Sequence, residues 1–317
     1  MKLSPDKPSP APGGIRGDIG VIITRSLVAL ALAVLYAFIA AGASSGLDIS
    51  NADVLIPGLP QELDGLRIAH LSDFHSSQYG EGQHELLEAV SAFHPDVIAL
   101  TGDVIDGRSH TNSTPCIELV RGLAAIAPVY WVRGNHEYYL DTIARAQFEQ
   151  DMVAAGAVLL DNDAAVLERN GIEYLVSGMN DVDEIPIDLN LPADEQMDLA
   201  MEYAKGFMEE LKGEVSPQQY PLQIMLCHMP FWWSLWKEAG YHLALSGHLH
   251  GWIVRLPAIG GVLRNPVKFF PEEDAGLYDK QGIWVYISRG LANIRTIRNI
   301  RLNNRPELAL ISVRAAD

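Results

Sequence analysis

Between residues 66 and 156, short apolar runs alternate with segments in which apolar residues recur every three or four positions. The short runs are typical of buried strands, and they lie at 66–72, 96–102 and 128–134. The segments at 84–93, 116–126 and 142–156 have the spacing of amphipathic helices. This alternation predicts a sheet covered by helices, with the loops that follow the strands meeting at one edge.

After residue 157 the predicted strands come closer together. The runs at 157–162, 164–170 and 172–181 are separated only by turn residues, which favours a second set of more antiparallel strands. An acidic stretch at 184–217 interrupts this set, and its portion from Met197 to Leu211 has helical periodicity. Further strands are predicted at the following positions: 222–228, 241–248, 282–290 and 306–313.

The N-terminal region contains an uncharged apolar run at 27–43, at the short end of the length that spans a membrane. The polar residues before it, 1–25, have the composition of a disordered tail. Two interpretations stay open: an uncleaved transmembrane anchor at 26–45, or a signal peptide cut at the small residues AGAS. The basic residues ahead of the run place the N-terminus in the cytoplasm. We therefore expect an extracytoplasmic domain, anchored in the membrane or secreted after cleavage.

Composition and charge limit the classes of partner. The chain has 317 residues, 48% of them hydrophobic, which is enough for one large α/β domain with a substantial core. Its net charge of −17 repels polyanions, so no nucleic-acid partner is expected. Basic residues are concentrated after residue 250, where they either pair with acidic surface or help to admit a phosphate-bearing substrate. Two cysteines, Cys116 and Cys227, are too few for a disulfide framework or a structural zinc site.

Side chains that can bind metal follow five of the predicted strands. In chain order these side chains are Asp73 and His75, Asp103 and Asp106, Asn135 and His136, His228, and His248 and His250. One such strand end is an ordinary turn in many proteins, but five in one chain indicate a site. Mixed carboxylate, amide and imidazole ligands suit Mn, Fe or Zn. The donors exceed the needs of one tetrahedral ion and fit two divalent ions, which can acidify a shared water to hydroxide for attack at phosphorus.

The motifs D-x-H, G-D-x-x-D, G-N-H-E, a lone His and G-H-x-H occur in this order. The ordered set resembles the calcineurin-like metallophosphoesterase superfamily. The segments at 58–75 and 276–313 resemble its membrane-associated bacterial branch of YkuE/YaeI-like phosphodiesterases. The resemblance implies an α/β fold in which two mixed β-sheets pack as a sandwich with flanking helices, here preceded by the N-terminal hydrophobic helix. It also implies a phosphoric ester hydrolase, with residues 66–317 as its catalytic domain. Residues 46–65 are rich in turn formers, and this composition predicts a linker.

The resemblance further implies a role for each residue at the strand ends. Seven residues would bind two metal ions in two groups that share one bridging carboxylate: Asp73, His75 and His250 for one ion, Asn135, His228 and His248 for the other, and Asp103 for both. His136 would protonate the leaving-group oxygen as general acid, after attack by a metal-bridging hydroxide. Asp106 would orient His136. Glu137 is interpreted as a structural residue.

Three further residues are predicted to contact the substrate. Arg133 and Arg108 flank the motifs, and guanidinium groups bind phosphate oxygens well. Trp232 belongs to the aromatic segment FWWSLW at 231–236, directly after His228. This segment is either the core of a helix packed on the sheet or a lid-like or membrane-facing patch. The second interpretation, together with the predicted anchor, favours a lipid-linked phosphoester.

Two alternative functions stay open. The sequence VRGNHE resembles protein serine/threonine phosphatases, which would favour a phosphomonoester substrate. A non-catalytic, membrane-tethered metal-binding protein would use the same ligands without turnover. His136 and Asp106 argue against this last class, because a binding module does not need a proton donor and a residue that orients it.

Overall fold

The computed structural model describes residues 24–36, 46–108, 112–180, 193–214, 217–251, 254–256, 260–264, 268–269, 273–292, 301 and 303–316. The strands are β1 (Asp48–Pro57), β2 (Leu66–Leu71), β3 (Val97–Thr101), β4 (Val129–Val132), β5 (Ala157–Leu159), β6 (Ala164–Arg169), β7 (Ile172–Gly178), β8 (Gln223–Leu226), β9 (Leu243–Ser246), β10 (Val254–Leu256), β11 (Gly260–Arg264), β12 (Lys268–Phe269), β13 (Gly276–Asp279), β14 (Trp284–Ile287) and β15 (Glu307–Ala316). The helices are α1 (24–36), α2 (His84–Phe93), α3 (Thr114–Ala124), α4 (Thr142–Ala154), α5 (Ala193–Glu214) and α6 (Trp233–Ala239).

Two six-stranded mixed sheets form the centre of the fold. The first has the order β1-β15-β2-β3-β4-β5, and the second has the order β13-β14-β9-β8-β7-β6. Apolar side chains from the facing sides of both sheets form one core between them, including Ile68 and Val132 from the first sheet and Ile224 and Leu243 from the second. A smaller sheet contains β10, β11 and β12. The two-sheet sandwich predicted from the family resemblance is confirmed.

The helices cover the outer faces of the sandwich. Leu86 of α2, Leu119 of α3 and Phe148 of α4 are buried against the first sheet. Met208 of α5 and Trp236 of α6 are buried against the second sheet. Helices α2 to α6 therefore each bury an apolar side against a sheet.

The second sheet is more parallel than the sequence pattern indicates. β6 and β7 pair antiparallel, but β7 with β8, β8 with β9 and β9 with β14 all pair in parallel. Parallel neighbours require a crossover connection. The acidic helix α5 and the aromatic helix α6 lie in these connections, so they are part of the sheet topology rather than interruptions of it.

The interpretation of residues 46–65 as a linker is wrong, because β1 lies within this range. β1 pairs in parallel with β15 along its whole length, from Asp48 opposite Glu307 to Pro57 opposite Ala316. Arg289 fastens the start of this pair, since its guanidinium donates to Asp48 at 2.7 Å and to Glu307 at 2.9 Å. Asn51, Asp53 and Pro57 of β1 are exposed on this edge strand, whereas Val54 and Ile56 on its other side are buried in the core.

The predicted tail and anchor lie only in part within the described residues. The described helix α1 covers 24–36, whereas the rest of the tail (1–23) and the second half of the predicted anchor (37–45) lie outside them. Among the residues that the structure describes, no helix has the length and apolar character to cross a membrane.

Candidate metal centre

The predicted ligands meet where the two sheets present the carboxyl ends of their central strands. β2, β3 and β4 are parallel neighbours in the first sheet, and β8 and β9 are parallel neighbours in the second. The five loops that leave these strands carry all nine side chains of the sequence prediction. Because the sandwich brings the two sets of strand ends face to face, residues as distant along the chain as Asp73 and His250 come into contact.

The first group of donors surrounds Asp73, which is fully buried. His250 Nε2 lies 3.3 Å from Asp73 Oδ1 and 3.4 Å from His75 Nε2. His75 Nε2 is also 3.5 Å from Asp103 Oδ2. Asp73, His75, Asp103 and His250 each offer one donor atom, and these four atoms lie within 4.8 Å of one another. This is a spacing that a single divalent ion can bridge.

The second group of donors lies on the other side of Asp103. His228 Nε2 is 3.3 Å from Asp103 Oδ2, and His248 Nδ1 is 3.0 Å from Asn135 Oδ1. His228 Nδ1 lies 2.7 Å from the carbonyl oxygen of Thr101, which only accepts, so this nitrogen carries the proton. Nε2 is therefore the nitrogen that is left to bind a metal ion, and it faces Asp103.

His136 and Asp106 form a pair beside the two donor groups. His136 Nδ1 is 3.1 Å from Asp106 Oδ1, and His136 Nε2 is 3.9 Å from Asp103 Oδ2. The backbone N–H of His136 donates to Asp103 Oδ1 at 2.8 Å. Asp106 thus accepts the Nδ1 proton and turns the Nε2 edge of the ring toward the centre.

Glu137 connects the β3 and β4 loops from below the donor groups. Its side chain is fully buried, and its carboxylate accepts hydrogen bonds from four backbone N–H groups. Oε2 receives the N–H groups of Gly134 at 2.7 Å and Asp103 at 3.0 Å, and Oε1 receives those of Val104 at 2.8 Å and Ile105 at 3.3 Å. The structural interpretation of Glu137 is confirmed by these bonds.

The backbone at the centre adopts conformations that side-chain-bearing residues rarely take. Five of the candidate ligands have a positive φ, which costs energy for any residue other than glycine: Asp73, His75, Asp103, His248 and His250. Such conformations cluster at functional sites, where the surrounding structure holds them in place.

Two motif glycines allow the strand ends to approach each other. A Cβ at Gly134 would lie 2.3 Å from Asp103 Oδ1 and 2.9 Å from the His228 ring. A Cβ at Gly247 would lie 2.3 Å from Asp73 Oδ2. Glycine is therefore required at positions 134 and 247, where a side chain would collide with the ligands.

Burial and neighbouring imidazoles set the charges of the centre. Burial lowers the pKa of His75, His248 and His250 to about 3, so these rings are neutral and offer lone pairs at neutral pH. Burial alone would raise the pKa of Asp103. The adjacent His228, followed by His136 and His75, instead holds the pKa of Asp103 well below its usual range. An ionised carboxylate among neutral imidazoles is a donor set that fits Mn, Fe or Zn.

Two of the three predicted substrate contacts are wrong. Arg133 is buried, and its guanidinium binds Glu149 at 2.7 Å and Asp161 through two bonds of 2.7 and 2.9 Å, so it joins α4 to the loop after β5. Trp232 is 1% exposed and packs in the core beneath the second sheet. The core interpretation of the aromatic segment is therefore confirmed for this residue.

Arg108 lies at the rim of the centre, and its contact with substrate stays a prediction. Its guanidinium stacks over the ring of Tyr139 at 3.7 Å and also contacts the Tyr139 hydroxyl. Tyr139 in turn packs against the His136 ring, with 5.0 Å between the ring centres. The Arg108 backbone N–H donates to Asp106 Oδ1 at 3.2 Å.

The sequence analysis missed Arg301. Its guanidinium donates to His250 Nδ1 at 3.0 Å and to the carbonyl of Gly290 at 3.3 Å. The only sequence signal that points to it is the concentration of basic residues after residue 250.

Fold and site together define a metal-dependent hydrolase, since Asp and His donors gather at the strand ends of an α/β sandwich. The chain belongs to the calcineurin-like phosphoesterase family, whose model matches residues 66–252. It is therefore a metallophosphoesterase, an enzyme that hydrolyses phosphoric esters.

Similar proteins occur in bacteria and animals. The chain is 27% identical to the uncharacterized metallophosphoesterase YkuE of Bacillus subtilis (strain 168) over 82% of each chain. It is 24% identical to the phosphodiesterase YaeI of Escherichia coli (strain K12), over 69% of this chain and 70% of that one. It is also 26% identical to a transmembrane protein with metallophosphoesterase domain of Bos taurus, over 84% of this chain and 57% of that one. The first two likenesses support the bacterial branch indicated by the sequence motifs.

Proposed function

We propose that this enzyme hydrolyses phosphodiesters with two divalent metal ions, and that His136 acts as its general acid. The observation that carries the proposal is the position of Asp103 Oδ2. This oxygen lies 3.5 Å from His75 Nε2 in one donor group and 3.3 Å from His228 Nε2 in the other. A carboxylate between two sets of imidazoles is an arrangement that two neighbouring cations can share.

The distances support the two ligand groups that the family resemblance implies. Asp73, His75 and His250 would hold one ion, Asn135, His228 and His248 the other, and Asp103 both. When bound, two such ions polarise the phosphoryl group and lower the pKa of a coordinated water.

The proton that leaves with the alcohol would come from His136. In the charged ring, Nδ1–H is held by Asp106 at 3.1 Å, so Nε2–H is directed into the centre where the ester oxygen departs. The contact with Asp106 fixes the orientation of the imidazole. Two contacts hold His136 at a constant distance from the ligands. The backbone N–H of His136 donates to Asp103, and Glu137 accepts from the backbone N–H of Gly134 in the same loop.

The preference for diesters is supported by the likeness to a relative that is named a phosphodiesterase. A phosphomonoesterase has no specific support in the described residues. Manganese, iron and zinc all suit the donor set, so the metal itself is left to measurement.

The test uses the full chain in detergent, stripped of metal and reloaded with Mn. Wild type, Asp103→Asn and the exposed control Asp53→Asn are compared on a chromogenic diester and the matching monoester. We expect metal-dependent turnover that favours the diester, two metal ions per chain, and loss of both activity and one bound ion in Asp103→Asn. Equal turnover by Asp103→Asn and wild type would refute the two-metal proposal, whereas a monoester preference would refute only the substrate class.

We further propose that residues 26–45 tether the enzyme to a membrane, with the catalytic domain on the extracytoplasmic side. The apolar run itself and the likeness to a relative named a transmembrane protein support the tether. An enzyme tethered in this way is well placed to act on a lipid-linked phosphoester. The buried Trp232 does not contribute to such a substrate site, so the tether alone supports this substrate class. Fractionation of cells that express the chain with and without residues 1–45 tests the tether. Equal recovery of both forms in the membrane fraction would contradict it, and so would equal recovery in the soluble fraction.

A further inference from the structure

We propose that Arg301 binds a phosphoryl oxygen of the substrate beside Asp73, His75 and His250. This inference rests on the proposed function, because it assigns a substrate contact to the same centre. It replaces the phosphate contact that the sequence predicts for Arg133.

The sheet topology explains why Arg301 reaches the centre. β15 runs antiparallel to β2, with Ala309 opposite His70 and Val313 opposite Leu66. Residues that lead into β15 therefore lie beyond the carboxyl end of β2, where Asp73 follows the strand. A basic residue a few positions before β15 is thereby brought to the ligands, although it is far from all of them along the chain.

The bonding of Arg301 differs from that of two other arginines that are largely enclosed. Arg133 binds two carboxylates, and so does Arg289. Arg301 instead bonds to an imidazole nitrogen and a backbone carbonyl. Within the part of the chain that the structure describes, no carboxylate lies within ion-pair distance of its guanidinium. An enclosed guanidinium that no carboxylate neutralises can bind an incoming anion, and its planar set of donors matches phosphate.

Metal binding would strengthen this role. A neutral imidazole that binds a cation through Nε2 carries its proton on Nδ1. In His250, Nδ1 is the atom that accepts from Arg301 at 3.0 Å, and Nε2 is the atom that faces Asp73 and His75. With a proton on Nδ1, two hydrogen-bond donors would face each other, and the bond between Arg301 and His250 would be lost. Arg301 would then need another acceptor next to the metal ligands. A phosphoryl oxygen bound at the same centre provides one.

The test compares Arg301→Ala and Arg301→Lys with wild type, all as full chains loaded with Mn. Arg314→Ala is the matched control, because Arg314 is half exposed on β15 and makes only a long contact of 3.7 Å with Asp53. Three quantities are measured: kcat and KM on the chromogenic diester, the affinity for inorganic phosphate by calorimetry, and the metal content. Methylguanidinium is then added to Arg301→Ala as a rescue agent.

We expect kcat/KM of Arg301→Ala to fall about 100-fold. Its affinity for inorganic phosphate should fall about tenfold, with the metal content unchanged. Arg301→Lys should retain an intermediate activity, and it keeps the test valid if Arg301→Ala does not fold. Methylguanidinium should restore part of the activity of Arg301→Ala. The control Arg314→Ala should match wild type. Phosphate affinity within twofold of wild type in metal-loaded Arg301→Ala would overturn the proposal. So would a loss of metal that accounts for the whole loss of activity.

Failure of the proposed function would look different. If wild type shows no metal-dependent turnover, the two-metal phosphodiesterase is refuted. Calorimetry with inorganic phosphate still decides the role of Arg301 in that case, because binding is measured without catalysis.

Discussion

Glu137→Gln tests how strongly one buried carboxylate holds the two ligand-bearing loops together. Each carboxylate oxygen accepts two backbone N–H groups, so either orientation of the amide places its NH₂ against two donors. Two charge-assisted bonds are lost, and each contributes about 1.5–3 kcal/mol. Removal of a buried charge offsets part of this loss. The raised pKa of Glu137, about 7, corresponds to about 3 kcal/mol against the buried charge. We therefore expect the free energy of unfolding to fall by only about 1–2 kcal/mol.

The assay is urea unfolding of the metal-free chain, so that metal binding does not contribute to the measured stability. Burial, followed by repulsion from Asp103, raises the pKa of Glu137 to about 7, and the measurement is made at pH 8.5, where the carboxylate is charged. Glu88→Gln on the exposed side of α2 is the matched control, since it makes the same change of charge. A loss of about 1–2 kcal/mol corresponds to a drop of roughly 5 °C in Tm.

A difference below about 1 kcal/mol between Glu137→Gln and wild type would refute this reasoning. It would mean that the four backbone groups find other partners when the carboxylate is replaced. A large loss of stability in the Glu88→Gln control would show that net charge, rather than the hydrogen bonds, causes the effect.

Three further predictions concern the acid, the core and pH. His136→Ala should lower kcat about 10²–10⁴-fold, and Asp106→Asn about 10-fold. Elemental analysis should show an unchanged metal content in both variants, and a parallel loss of metal would contradict the acid role. Trp232→Ala should lower the free energy of unfolding by about 3–5 kcal/mol in urea, and a change in KM without loss of stability would favour the lid interpretation instead. Burial lowers the pKa of His70 to about 3, so its contribution to stability is present above pH 6.5 and is lost as pH falls. The stability advantage of wild type over His70→Gln should therefore shrink by about 2 kcal/mol between pH 7 and pH 5, and an unchanged difference would contradict the buried neutral ring.

The sequence predicts most of the centre from two local signals. These are the apolar runs that form strands and the metal-binding side chains that follow them. The three predicted strands end within two residues of the observed ends at Leu71, Thr101 and Val132. Helix α2 begins at His84 and ends at Phe93 as predicted. The residue after each run then falls at the carboxyl end of a strand. Parallel strands place these ends at one edge, so the positions of Asp73, Asp103 and Asn135 follow from the alternation alone.

The errors lie where distant parts of the chain decide the outcome. β1 has the composition of a loop, and only its pairing with β15 makes it a strand. Arg133 looks like a phosphate ligand beside the motif, but Asp161 and Glu149 neutralise it after folding. Trp232 lies only a few residues after the ligand His228, yet its side chain packs in the core with that of Trp236.

The position of β15 between β1 and β2 has a consequence for the order of folding. In the first sheet, β15 bridges two strands that are made about 250 residues before it, since it pairs Glu307 with Asp48 and Val313 with Leu66. Contacts of such high sequence separation form late and slowly. A nascent chain that has already released every ligand from Asp73 to His250 still has an incomplete first sheet. We therefore expect tight metal binding only after β15 has been synthesised and has joined β1 to β2.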